Sequence, residues 1–308
     1  MYYCSYGGLE LRKQVALYYN PVSGGGRFKN RLDEVIGHLQ EAGLQVLPWR
    51  IRSNQDIADH LPTLDPGGLH TVAAAGGDGT IHGLVNAMMK CGYEVPIAIL
   101  PEGTANDVAV HLSIPMLPEE YCRIITDGRL ANIDLGKVND TYFVNVASAG
   151  LLTETAHEVQ YRWKNILGRG AYYIKSLEKL QRVHPMRLKM SVDGKKTNMT
   201  AAVFLILNGG TAGGFQGLTP ESDMNDGLLD FLAIKSLSLP MVTHLLIKFL
   251  RGQLLQDGNT FYCQGRHFTI ELSSETTTDL DGEIGPSMPW DITVVPSALK
   301  IWLPKQEA

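Results

Sequence analysis

The stretch Val72-Ala73-Ala74-Ala75-Gly76-Gly77-Asp78-Gly79-Thr80 constrains the fold more tightly than any other part of the chain. A short apolar run of strand length enters a turn of three glycines around one carboxylate. Behind it Ile81, Leu84, Val85 and Met88 recur at helical spacing, and Gly92 stands where a helix would stop. Strand, glycine turn and helix in that order aim free backbone N–H groups and a helix dipole at an anion. Asp78 narrows the choice of anion, because a carboxylate beside a phosphate is repelled unless a cation lies between them. The loop therefore points to phosphate held with a divalent metal, a Mg-nucleotide foremost. It is not a P-loop, since G-x-x-x-x-G-K-[ST] occurs nowhere in the chain. The same residues would also build a plain tight turn, its glycines supplying backbone freedom and its Asp capping the helix.

Two further loops repeat the arrangement. Gln14 to Tyr19 reads as a buried strand and runs into Asn20-Pro21-Val22-Ser23-Gly24-Gly25-Gly26. Pro96 to Pro101 reads as another and runs into Glu102-Gly103-Thr104-Ala105-Asn106-Asp107. Phe28, Leu32, Val35, Ile36 and Leu39 form one face of a helix that stops near Gly43. Leu44 to Ile51 is strand-like, Asn54 to Leu64 a short helix, and Pro118 to Asp127 a helix with Glu119 and Glu120 in its first turn. Alternating strands and helices with such loops predict a parallel, doubly wound α/β sheet, with ligands at the carboxyl ends of the strands.

From Arg129 the rhythm changes. Leu130 to Val138, Thr141 to Val146, Met186 to Val192, Met199 to Leu207, Leu228 to Ile234, Thr260 to Leu272 and Ile292 to Val295 read as strands. Asp193-Gly194 is a hairpin turn between two of them. Two helices interrupt, one within Thr153–Arg182 and one from Pro240 to about Leu250. The expectation is a second, all-β domain built as a β-sandwich. The boundary near residue 130 lacks a Pro/Ser-rich linker, so the two domains are expected to pack closely and share a cleft. Residues 1–12 read as a ragged extension.

Composition excludes more than it assigns. The 308 residues carry 27 Lys+Arg against 32 Asp+Glu, a net charge of −5, which leaves no overall basic footprint for nucleic acid. Tyr161, Trp163, Tyr172 and Tyr173 interleave with Arg162, Lys164, Arg169, Lys175, Lys179 and Arg182. That stretch reads as a contact for anionic headgroups, or as a solvated helix with an aromatic core face. The four cysteines are far apart and form no C-x-x-C, as free thiols of a reducing cytoplasm would. No run reaches transmembrane length, and Met1 to Gly8 lacks the regions of a signal peptide, so a lipid substrate would be reached from the water side.

The carboxylates carry the chemical case. Asp78 and Asp107 lie in two of the rim loops, and Asp134 follows the domain boundary. Asp223 and Asp226 flank Met224-Asn225, while Asp279, Asp281 and Glu283 surround Gly282. Each alone is what turns commonly contain. Beside phosphate-binding loops they suit Mg-dependent phosphoryl transfer, in which metal neutralises the phosphates and a carboxylate accepts the proton of the attacking hydroxyl. No G-x-S-x-G elbow and no H-x-x-x-H pair is present.

These residues together resemble the diacylglycerol-kinase-type lipid kinase superfamily, in its bacterial soluble branch, over nearly the whole chain from about residue 14 to 304. The resemblance rests on Asn20-Pro21-Val22-Ser23-Gly24, Gly76-Gly77-Asp78-Gly79-Thr80, Gly103-Thr104-Ala105-Asn106-Asp107, Phe143-Val144-Asn145, Asp226-Gly227 and Asp281-Gly282-Glu283. GGDGT alone is shared with NAD kinases; GGDGT, then G-T-x-N-D, then a late D-G-E is specific.

The resemblance implies a nucleotide-binding α/β domain over 1–130, completed by 296–308, and a β-sandwich over 131–295, with the active site in the cleft between them. It implies ATP and Mg as cofactors and transfer of the γ-phosphate to a hydroxyl of diacylglycerol or a related lipid alcohol at a membrane surface. Asn20, Pro21, Val22, Ser23, Gly24, Gly76, Gly77, Asp78, Gly79, Thr80, Ile81 and Thr104 match nucleotide contacts, with Asn106 in the same motif. Asp78, Asp107 and Asp134 match the acids around Mg-ATP, and Glu283, or Asp281 two residues earlier, matches the general base. Asp223, Asp226 and the carbonyl of Leu228 match a structural Mg site, and Lys164 a basic residue near the cleft. The implied setting is cytoplasmic and peripheral at the inner membrane face, with a homodimer left open. Where the family usually has Leu-Asn-Glu after GGDGT, this chain has Ile81-His82-Gly83, and where a Lys often follows the first loop it has Gly25-Gly26. The competing readings are NAD kinase-like phosphorylation of a soluble hydroxyl and a non-catalytic nucleotide- or lipid-binding protein. The Asn106-Asp107 pair argues against the first, since the loop of NAD kinases usually carries Asn-Glu.

Overall fold

The computed structural model describes residues 13–150 and 185–305. The extension over 1–12 and the basic, aromatic helix expected within 153–182, Lys164 included, lie outside the described residues. The chain divides into two compact units. Unit 1 comprises Met1–Gly103, Ile114–Ala131 and Lys300–Ala308; unit 2 comprises Thr104–Ser113 and Asn132–Leu299.

Unit 1 is wound from β1 (Gln14–Tyr19), α1 (Leu32–Glu41), β2 (Gln45–Arg50), α2 (Asn54–His60), β3 (Leu69–Gly76), α3 (Asp78–Cys91) and β4 (Ile97–Pro101). After α4 (Asp107–His111), which belongs to unit 2, the chain returns in α5 (Pro118–Asp127). The sheet order is β2-β1-β3-β4, and every pair is parallel. The order reverses at β1, so right-handed crossovers place α1 on one face and α2 and α3 on the other. Accordingly α1 packs on α5, and α2 on α3. Val15 to Tyr18, Val72 to Ala75 and Ile97 to Leu100 are buried without alternation, as parallel strands covered on both faces must be. Helix α3 ends in Gly92 at φ 67°, a left-handed cap that glycine adopts without strain.

Unit 2 holds two largely antiparallel sheets. One has the order β14-β13-β10-β7-β16-β17. Its strands are β7 (Val146–Gly150), β10 (Val203–Leu207), β13 (Leu229–Ile234), β14 (Thr260–Gly265), β16 (Thr278–Leu280) and β17 (Glu283–Ile284). The other contains β8 (Met186–Val192), β9 (Lys195–Ala201), β15 (His267–Leu272) and β18 (Trp290–Leu303), with β5 (Arg129–Val138) and β6 (Thr141–Phe143) joined through β18. A small hairpin, β11 (Thr211–Ala212) and β12 (Phe215–Gln216), and helix α6 (Leu239–Leu250) also belong to it. Met186, Leu188 and Met190, Phe204 and Ile206, Leu229, Phe231 and Ala233, Phe268 and Ile270, and Trp290 and Ile292 share one core. Every set is spaced by two, so each strand turns one face into the space between the sheets, the arrangement of a β-sandwich.

Three sequence readings merged strands that the fold separates. The run Met199 to Leu207 is split at Ala202, where the chain leaves β9 in one sheet for β10 in the other. Thr260 to Leu272 is likewise split at Arg266 between β14 and β15. Thr141 to Val146 is interrupted after Phe143, at the segment that the Asp281 carboxylate holds. Conversely, Ile292 to Val295 is only part of β18. Beyond Val295, Ser297 takes φ 51° and gives its N–H to Asp134 Oδ1 at 2.7 Å, and the strand continues. Its last residues return to unit 1, where Ile301 pairs with Ile97 of β4.

Candidate active site

In unit 1 the loops after β1, β3 and β4 lie side by side because their strands are adjacent and parallel. Asn20 N–H bonds to the carbonyl of Ala75 (3.1 Å) and Glu102 N–H to that of Gly76 (3.0 Å). The first loop is a compact turn: Val22 N–H bonds to Asn20 Oδ1 at 3.1 Å, and Gly24, Gly25 and Gly26 all have positive φ. Gly24 meets the 102–103 backbone so closely that a Cβ would lie 3.1 Å from the Glu102 carbonyl carbon and closer to its oxygen. A Cβ on Gly76 would lie 2.7 Å from Thr80 Cβ, and one on Gly77 3.2 Å from Gly103 Cα. The glycines therefore answer a packing demand, and the surface they form is backbone. The 14-residue α3 begins at Asp78, directly behind them. The first-turn N–H groups of a helix have no acceptor within it, so this end is suited to an anion. Pro21, Gly79 and Ile81 complete these loops, with Val22 and its 76% exposure outermost.

Glu102, which sequence reasoning left without a role, braces this arrangement. Only 2% exposed, it receives the Arg31 guanidinium and the Tyr121 hydroxyl, each at 3.1 Å on Oε1. Burial first, and then the Glu102 charge, push the Tyr121 phenol far up, so it remains a donor. An acid just before Gly-Thr in a rim loop was the available signal. Its partners, 71 residues before it and 19 after, were not.

The departure after GGDGT also has a physical counterpart. At Gly83 a Cβ would stand 2.8 Å from Asn54 Cβ and closer to its amide. Asn54 fills the room a larger residue would need. His82 is buried, and its ring meets the amide of Asn86 at 3.4 Å.

In unit 2 the candidate acids fall into two kinds. Asp134 and Asp281 accept from backbone N–H groups. Asp134, 1% exposed, accepts from Gly227 N–H and Ser297 N–H, both at 2.7 Å, and its own N–H bonds to Met224 O at 2.6 Å. It thereby ties the 223–228 turn to β18. Asp281, 5% exposed and at φ 53°, accepts from the N–H groups of Val144 (2.8 Å), Asn145 (2.9 Å) and Val146 (3.0 Å). Asp107, in the first turn of α4, accepts from Gly214 N–H at 2.9 Å; Thr104 and Asn106, the latter at φ 54°, precede it. Glu283 differs from all of these. It stands exposed on β17, just beyond the turn that Asp281 pins.

Asp223 and Asp226 sit in one turn, where each uses a carboxylate oxygen on a nearby amide: Asp223 on Asn225 N–H (3.1 Å), Asp226 on Leu228 N–H (2.8 Å). Partial burial, then the charges of Asp230, Asp223 and Asp134, hold the Asp226 carboxyl above its usual range. The neighbouring charges make ionisation of Asp226 costlier, a cost that a divalent cation at this turn would relieve. Among the described residues, no group of three or more His, Cys, Asp or Glu converges closely enough to enclose a metal by side chains alone. His111 lies near the same turn. Its Nδ1 accepts from Gly210 N–H at 3.2 Å, and burial lowers its pKa, with Asp223 opposing.

The chain matches the family described as Diacylglycerol kinase catalytic domain over residues 14–138. Over residues 145–303 it matches the YegS C-terminal NAD kinase beta sandwich-like domain. A protein of Bacillus subtilis (strain 168) named diacylglycerol kinase is 30% identical over 299 residues, covering 96% of this chain and 98% of that protein. A diacylglycerol kinase of Staphylococcus saprophyticus is 26% identical over 294 residues, 96% of each chain. Among solved structures, a crystal structure described as that of a diacylglycerol kinase from Bacillus anthracis (strain Sterne) superposes with a TM-score of 0.74. It is 24% identical and covers 94% of this chain and 97% of that one, a likeness of fold.

Proposed function

The chain belongs to the diacylglycerol kinase family, and we propose that it is an ATP- and Mg-dependent lipid kinase, transferring the γ-phosphate to a hydroxyl of diacylglycerol or a related lipid alcohol. The observation that carries this reading is the backbone cradle of unit 1. Gly24 and Gly76 are packed too tightly for a side chain, and Gly77 is tightly packed, at the carboxyl ends of adjacent parallel strands and at the start of α3. A surface of backbone amides at a helix start suits a polyphosphate better than it suits any neutral ligand.

In this reading Asn20, Pro21, Val22, Ser23, Gly24, Gly76, Gly77, Gly79, Thr80, Ile81 and Thr104 hold the nucleotide. Asp78 and Asp107 are the acids that would face its metal, with Asn106 setting the turn before Asp107. Mg bound with ATP would neutralise charge on the phosphates, and the excess of carboxylate in the chain is chemistry that fits it. Asp223, Asp226 and the carbonyl of Leu228 would hold a second, structural Mg, on a turn whose position Asp134 fixes. Glu283 acts as general base. It takes the proton of the lipid hydroxyl as the oxygen bonds to the γ-phosphorus and the bond to the β-phosphate oxygen breaks, leaving ADP. Asp281 is assigned positioning: its carboxylate accepts from three amides, and those bonds orient the turn bearing Glu283. The acceptor is met at a membrane surface, from the cytoplasmic side. Among the described residues, no helix is long and apolar enough to cross a membrane.

The test is transfer of labelled γ-phosphate to diacylglycerol, a sphingoid base and NAD in parallel, with Mg and with chelator. Transfer to a lipid acceptor that requires Mg is expected, and Glu283→Gln should lower it by roughly 10²–10⁴-fold. Transfer to NAD alone would favour the soluble-acceptor reading. Full activity in both Glu283→Gln and Asp78→Ala would end the proposed mechanism.

A further inference from the structure

Helix α6 (Leu239–Leu250) is apolar on two opposite sides. Leu245, 5% exposed, and the half-buried Met241 and Phe249 pack onto a small core with Leu207, Leu232 and Leu254, and the Phe249 ring meets Phe215 edge-on at 5.6 Å. On the outward side Leu246, Ile247 and Leu250 are 40%, 46% and 75% exposed. Their spacing, with the exposed Thr243, is one continuous stripe along the helix. An apolar helix face is normally covered, and single exposed leucines need no explanation where a contiguous stripe does.

Charge identifies the cover. Between Asp230 and Asp257 there is no acidic residue, although the chain as a whole has 32 and a net charge of −5. The basic groups in that interval are Lys235, His244, Lys248 and Arg251. On the helix wheel His244, Lys248 and Arg251 fall together, in the sector beside the outward stripe. His244 is paired with Asp257 at 2.6 Å, which leaves Lys248 and Arg251 as the cations flanking the stripe. An apolar stripe with a cationic flank, whose neighbouring acid Asp257 is engaged by His244, matches an interface whose interior is hydrocarbon and whose surface is anionic.

We infer that α6 is a membrane-docking helix. It lies in the plane of an anionic lipid surface, with Leu246, Ile247 and Leu250 entering the acyl boundary and Lys248 and Arg251 on the phosphates. The inference rests on the lipid-kinase reading for its choice of a bilayer over another apolar partner, and it assigns that enzyme a place to meet its substrate.

The experiment is sedimentation of the full chain with vesicles of phosphatidylglycerol and phosphatidylcholine, and with phosphatidylcholine alone, without nucleotide. The wild type should bind the anionic vesicles. The triple variant Leu246→Glu, Ile247→Glu, Leu250→Glu should lose at least about tenfold in partitioning. Lys248→Gln with Arg251→Gln should lose about fivefold per residue and most of the preference for anionic lipid. Transfer to a dispersed short-chain diacylglycerol, measured on the same proteins, should be unchanged. It also separates the two readings, since loss of transfer in the wild type counts against the kinase assignment while vesicle binding is still read. Partitioning of the triple variant equal to wild type would overturn the inference. So would a wild-type dimer, seen by light scattering, that the triple variant splits without changing vesicle binding.

Discussion

Replacing Asp281 by Ala separates a positioning carboxylate from a reacting one. The substitution leaves the N–H groups of Val144, Asn145 and Val146 without their acceptor. Val144 and Asn145 are 1% and 2% exposed, so water does not readily replace it. A buried donor left unpaired costs about 1–3 kcal/mol, and three neighbours on one segment relax together, so the sum falls toward the low end, about 3–4 kcal/mol. Position 281 also has φ 53°, which Asp tolerates better than Ala, adding about 1 kcal/mol. The expected loss is therefore about 4–5 kcal/mol, a fall of roughly 10–15 °C in the melting transition of unit 2. Asp281→Asn keeps one acceptor oxygen and should cost about half as much. Differential scanning calorimetry on both variants and on Glu283→Gln, whose exposed side chain should leave the transition unmoved, gives the comparison. A loss under about 1 kcal/mol in Asp281→Ala would refute the positioning role. So would abolished transfer in Asp281→Asn at unchanged stability, which would make Asp281 a participant in the chemistry.

Gly76→Ala forces a Cβ into Thr80 and should destabilise unit 1 by about 1–3 kcal/mol, while weakening nucleotide binding in titration calorimetry; the pair Gly76→Ala, Thr80→Gly should recover much of the stability. His111 is held neutral by burial, so its folded pKa lies below its unfolded one. Its contribution is present above about pH 6.5 and is lost as pH falls through the lowered value. Thermal midpoints measured from pH 7.5 downward should therefore fall, and fall less steeply in His111→Gln. Millimolar Mg should raise the midpoint of unit 2, and Asp223→Ala with Asp226→Ala should remove that rise; an identical rise in the double variant would place the ion elsewhere.

Much of this protein is local, and local features are legible in a sequence. The three strand–loop–helix units of the N-terminal half are set by apolar runs, glycine turns and helical spacing within about twenty residues of one another, and β1, α3, β4 and α5 lie where those signals fall. The alternation of Met186, Leu188 and Met190 likewise fixed which face of β8 would be buried. A period of two says which face is inward without saying which sheet a strand joins, so the passages at Ala202 and Arg266 were decided only by packing. Long-range polar pairing was equally out of reach. Nothing near Asp134 indicates that one oxygen will receive Gly227 and the other Ser297, 93 and 163 residues away, so its likeness to a metal-facing acid and its commitment to backbone could not be told apart. The same holds for Asp281 and Glu283. A single residue, Gly282, separates them in the chain, and only the folded protein buries one carboxylate among three amides and leaves the other exposed, because burial and amide geometry are properties of the tertiary contact and not of the residue.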